Sequence, residues 1–117
     1  MDPNAALELP FELTVERRAD EVLLILKGEL DLAAKEEYEQ ELRKLEHDES
    51  VESVVVDLRG LTFIDSTGIR LLLITLRASE GNGFTATFVQ GNGPVRDLLE
   101  TTGVARQLPL VDESALS

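Results

Sequence analysis

Asp65-Ser66-Thr67 sets three oxygen-bearing side chains in a row, directly before Gly68 and a long apolar run. Residues of this kind before a helix usually cap it, the side-chain oxygen accepting from a first-turn N–H. One cap is all a helix needs, so three candidates leave two without that duty. A serine on a strand-turn-helix elbow can also be a hydrolase nucleophile, but that motif puts glycine two residues earlier. Here that residue is Ile64. The general base could only be His47, the one histidine of the chain, in the polar run Glu46-His47-Asp48-Glu49 that reads as solvated surface. Cysteine is absent, which removes disulfides, thiolate metal ligands and a cysteine nucleophile. The expectation is therefore no enzyme, no metal and no cofactor.

The elements that must position this segment are legible in outline. Phe11, Leu13 and Val15 alternate with polar residues, the period of a half-covered strand, and Arg18-Ala19-Asp20 can turn the chain. Val22 to Leu26 is a continuous apolar run of the kind found in a strand covered on both faces. Asp31 can cap a following helix of about 14 residues, with Ala34, Tyr38, Leu42 and Leu45 as its buried stripe. Val54-Val55-Val56 predicts a further strand, with Asp57 as a turn residue at its end. A helix is expected from about Gly68 to Ser79, stopped at Gly81. Phe84 to Val89 reads as a strand, and Pro94 and Gly103 bracket a short helix with Val95, Leu98 and Leu99 inward. Leu108 to Val111 suits a sheet edge. The order β-β-α-β-α-β-α predicts an α/β fold, a mixed sheet with helices packed on it.

The helix after Ser66 is apolar on two sides. At about 100° per residue, Ile69, Leu72, Leu73 and Leu76 share one arc, which predicts the core face. Leu71, Ile74 and Ala78 fall on the opposite side. Either a second layer such as the C-terminal tail covers them, or they form an exposed apolar strip of the kind that binds protein.

Length and charge narrow the class. A chain of 117 residues supports one domain, expected over 11–117, with residues 1–10 as a flexible leader. The formal charge is −12, and residues 1–60 carry −10 of it. Such a balance disfavours nucleic acid and anionic membranes as partners. No apolar run is long enough to span a bilayer, and the first residues carry no basic-then-apolar signal pattern. These features point to a cytoplasmic protein that acts on another protein.

Gly28-Glu29-Leu30-Asp31, Val55-Val56-Asp57-Leu58, and above all Phe63-Ile64-Asp65-Ser66-Thr67-Gly68 resemble the STAS-domain anti-sigma factor antagonists. The likeness continues through Val95-Arg96-Asp97-Leu98-Leu99 and Thr102-Gly103, so it covers roughly residues 11 to 111. It implies a STAS-like mixed sheet of four to five strands and a phosphoacceptor at Ser66. It also implies partner switching. The unphosphorylated antagonist binds an anti-sigma factor that is itself a serine kinase, a sigma factor is freed, phosphorylation dissolves the complex, and a PP2C-type phosphatase resets it. Asp31, Asp65, Thr67 and Gly68 match positions around the serine, and the apolar strip adds Leu71 and Ile74 to the expected contact surface. The alternative use of such a domain is as a scaffold or accessory subunit in a stress-signalling or membrane transport complex.

Overall fold

The computed structural model describes residues 11–116, so the expected leader lies outside the described residues. Five strands form one sheet in the order of the chain: β1 (Glu12–Arg18), β2 (Glu21–Leu30), β3 (Ser53–Ile64), β4 (Thr85–Val89) and β5 (Leu110–Val111). β1 runs antiparallel to β2, and every later neighbour is parallel, so the sheet is mixed. The helices are α1 (Lys35–Glu46), α2 (Ser66–Asn82) and α3 (Pro94–Thr101). The α/β class, the element order and the edge position of the tail strand agree with the sequence reading.

Alternation along the strands decides which face is covered. Val22 and Leu24 of β2, Val54 and Val56 of β3, and Ala86 and Phe88 of β4 lie level with one another and are all buried. Tyr38, Leu45, Leu71, Leu72 and Leu99 from the helices complete the same core. Leu23, Ile25 and Val55, on the other face, are only half-buried.

Several local expectations are corrected. β3 does not stop at Asp57 but continues to Ile64, twelve residues in all. Asp57 is a buried strand residue, 5% exposed, forked by the Arg59 guanidinium through Nε and Nη2, each at 2.9 Å. That carboxylate raises the pKa of Arg59, chiefly through the hydrogen bond. Two register shifts between β2 and β3 insert extra residues in β3 and bring Ile64 level with Leu30. α2 passes through Gly81 and ends at Gly83, which holds φ at 79°.

The core face of α2 is also displaced from the expected arc. Its buried residues are Gly68, Leu71, Leu72, Thr75 and Ser79, so Leu71, placed by the apolar count on the outer side, is in the core at 1% exposed. The second layer over it is α1, not the tail. Thr75 and Ser79 tolerate burial because their hydroxyls donate to the Leu71 and Leu76 carbonyls at 2.8 and 2.6 Å. The Tyr38 hydroxyl from α1 meets Thr75 Oγ1 at 2.6 Å. Full burial pushes the Tyr38 phenol up to about 12, a shift that the Thr75 bond partly opposes.

Candidate protein-binding site

Asp31 and Asp65 follow Leu30 and Ile64, which are register partners on adjacent parallel strands. The two aspartates therefore stand side by side at the carboxyl ends of β2 and β3, the end where open α/β sheets gather their functional groups. Each is spent on backbone. Asp65 caps α2, its Oδ1 accepting from the Gly68 N–H at 2.9 Å. Asp31 caps a single 3-10 turn, Leu32–Ala34, with Oδ1 accepting from the Ala33 N–H at 3.0 Å. α1 begins only after that turn, at Lys35, so it is shorter than expected.

Gly68 makes the second junction tight. A Cβ there would collide with the Leu30 carbonyl oxygen and with Ile64 Cγ1, contacts that no side chain can take. The first turn of α2 thus rests directly on the end of β2. Its cap is Asp65, which leaves Ser66 exposed at the first helical residue with no structural duty to its neighbours. Thr67 is half-buried beside it.

Two shallow grooves lie near the start of α2, one of mixed polarity and one apolar. One, of about 270 Å³, runs between the 3-10 turn, α1 and α2, with Leu32, Leu71 and Ile74 as its apolar part and Lys35, Glu39 and Arg70 as its charged rim. The other, of about 170 Å³, is lined by Phe63, Ile64, Pro94, Val95 and Leu98. Leu32 is 69% exposed and Phe63 46%, which makes them two of the three large apolar side chains standing in solvent among the described residues. The sequence reading missed both. Leu32 could have been noticed because it lies two residues before Ala34, off the buried stripe of α1. Phe63 sits next to Ile64 in a strand, so both cannot face the core.

Of the expected site residues, Asp31, Asp65, Ser66, Thr67 and Gly68 are brought together. Ile74 is half-buried along the first groove, and Leu71 forms the floor of that groove from within the core. His47 is elsewhere. It closes the far end of α1, Nδ1 at 2.8 Å from the Arg43 carbonyl, roughly one helix length of 18 Å from the end that lines the groove. Among the described residues no cluster of histidine, cysteine, aspartate or glutamate could hold a metal, and no helix is long and apolar enough to cross a membrane. The arrangement at this end of the sheet is an exposed hydroxyl at a helix N-terminus with an apolar groove and a groove of mixed polarity nearby.

The chain belongs to the STAS domain family, whose model matches residues 12–115. An anti-sigma F factor antagonist of Paenibacillus polymyxa is 24% identical over 107 residues, 87% of each chain. An anti-sigma factor antagonist from Mycobacterium paratuberculosis superposes with a TM-score of 0.75 at 23% identity, over 86% of this chain and 85% of that one. The unphosphorylated anti-sigma factor antagonist SpoIIAA gives 0.68 at 25% identity, over 92% and 93%.

Proposed function

We propose that this chain is an anti-sigma factor antagonist controlled by phosphorylation of Ser66. In this reading the unmodified form binds an anti-sigma factor with serine kinase activity in the cytoplasm and so frees a sigma factor. Transfer of a phosphoryl group to Ser66 ends the complex, and a PP2C-type phosphatase restores the binding form. Any nucleotide belongs to the kinase, and this chain needs no cofactor of its own.

The observation that carries the reading is the division of labour at the start of α2. Asp65 makes the cap bond, so the Ser66 hydroxyl is exposed and can be modified without unfolding the helix. A phosphoryl group adds roughly −1.5 to −2 charges at pH 7. At the N-terminus of a helix such charge is tolerated, with a favourable dipole contribution of roughly 0.3–1 kcal/mol. A partner that buries the same group next to Asp65 and Asp31 meets like charge, with Arg70 one turn along α2 as the nearest cation in sequence. Affinity falls while the fold persists. Leu32 and Phe63 supply the apolar anchors of the contact, the role that large side chains in desolvated pockets play at interfaces.

Incubating the chain with ATP and lysate of its native host, followed by phosphosite mapping, tests the assignment. Phosphate is expected on Ser66 and absent from Ser66→Ala. Phosphate on Thr67 or another hydroxyl, or none at all, contradicts it.

A further inference from the structure

Among the described residues, β1 is a free edge of the sheet. It is seven residues long, paired only with β2, and carries Val15 at 43% exposure, the third exposed large apolar side chain. Open edges of this kind either carry features that block pairing or accept a further strand. Reversed on itself, the edge Glu12-Leu13-Thr14-Val15-Glu16-Arg17-Arg18 sets Glu12 against Arg18 and Val15 against Val15, with Leu13 opposite Arg17 and Thr14 opposite Glu16 as indifferent pairs. We propose that the occupant of this edge is a second copy of the chain, joined β1 to β1 antiparallel about a two-fold axis through Val15, so that the two sheets become one.

The register is set by the side chains. With Val15 facing Val15 of the second copy, Glu12 lies opposite Arg18 of that copy, and Arg18 opposite its Glu12. Within each copy Glu12 already pairs with Lys27, and Arg18 with Glu21. The combined row across the new sheet reads Lys27, Glu12, then Arg18 and Glu21 of the second copy, alternating in sign at every step. The central row reads Leu24, Val15, then Val15 and Leu24 of the second copy, apolar throughout, since Val15 is level with Leu24. Cross-strand pairs of both kinds are favourable.

Neighbouring registers are worse. Among those that keep both helix layers on one face, a two-residue shift one way sets Glu12 against Glu16, and the other way sets Glu16 against its own copy. Two chains of charge −12 repel in general, so this local matching decides whether they join. The Ser66 surface lies at the ends of β2 and β3, off this edge, and stays open in the pair. About 24 Å of strand edge offers less than the roughly 800 Å² per partner of a standard interface. The dissociation constant expected is on the order of 10–100 µM.

Sedimentation velocity of the full chain from about 10 µM to 1 mM tests this. The expected result is a concentration-dependent shift from monomer to dimer. Val15→Lys and Glu12→Arg should each weaken association by about tenfold or more, with unchanged circular dichroism. The double variant Glu12→Arg/Arg18→Glu restores opposite charges between the copies while setting like charges against Lys27 and Glu21 within each, so it should bind at least about threefold more tightly than Glu12→Arg alone. A monomer throughout the range overturns the proposal. So does a dimer indifferent to Val15→Lys, or a folded double variant that stays as weak as Glu12→Arg.

Discussion

At the end of β2, Asp31 closes a 3-10 turn and the next side chain, Leu32, stands in solvent; at the end of β3, Asp65 closes α2 itself and the next is the exposed Ser66. The two junctions are neighbours on parallel strands and share the pattern of a strand ending in an apolar residue, an aspartate cap and a helical turn. They differ in the residue placed after the cap and in how firmly the turn is held. Gly68 lets α2 rest on the Leu30 carbonyl, whereas the turn after Asp31 is closed by the Ala34 N–H bonding Asp31 O at 3.1 Å. An aspartate that satisfies the backbone relieves its successor of structural work. One junction then leaves an apolar side chain in solvent, the other an exposed hydroxyl.

Gly68→Ala should be the most damaging change, because the obstacle to its Cβ is a backbone carbonyl. Overpacking there is expected to cost about 3 kcal/mol in equilibrium urea unfolding, and a loss below about 0.5 kcal/mol would dissolve the distinction between a tight and a loose junction. Leu71 and Leu32 line the same groove and give a sharper contrast. Leu71→Ala should cost about 3 kcal/mol of stability. Leu32→Ala should leave stability within about 0.5 kcal/mol yet lower affinity for the captured partner by about tenfold or more. If Leu32→Ala unfolds the protein as Leu71→Ala does, the groove is core and not surface.

Smaller effects compare the caps themselves. Asp65→Ala should destabilise by about 1 kcal/mol, and Asp31→Ala by less, since a 17-residue helix depends on the first and a single turn on the second. Equal losses in thermal unfolding would contradict the ranking. The titration of Tyr38 bears on the layer that covers α2. Its folded value, about 12, lies above the ordinary 10, so the unfolded chain ionises first, and stability should fall as pH rises from 10 towards 12. Tyr38→Phe should remove that component of the alkaline slope.

The order of elements was legible because apolar runs, caps and turn glycines coincide along the chain. The cluster from Asp65 to Gly68 stood out by its residue types alone. The covered face of α2 was not legible, for a physical reason. Thr75 and Ser79 count as polar, yet each hydroxyl donates to its own helix and can be buried, while Ile69 and Leu73 remain half-buried. Asp57 was misplaced because a carboxylate inside a strand needs a partner, and Arg59, only two residues on, returns across the same face to provide it. The length of β3 escaped because Asp57 reads as a turn residue and Gly60 follows it. Instead Gly60 lies beside a register shift, where a Cβ would come within 2.8 Å of the Leu26 carbonyl oxygen.

The central claim, that charge at Ser66 governs a protein contact without disturbing the fold, is tested most directly by a paired capture. Folded Ser66→Ala and Ser66→Asp chains serve as baits in lysate of the native host, and the bound proteins are identified and compared. The account predicts that the alanine bait retains an anti-sigma factor with kinase character and that the aspartate bait loses it, at equal melting temperatures. Capture of the same proteins by both baits would contradict it and leave Ser66 as the first residue of a helix in a scaffold.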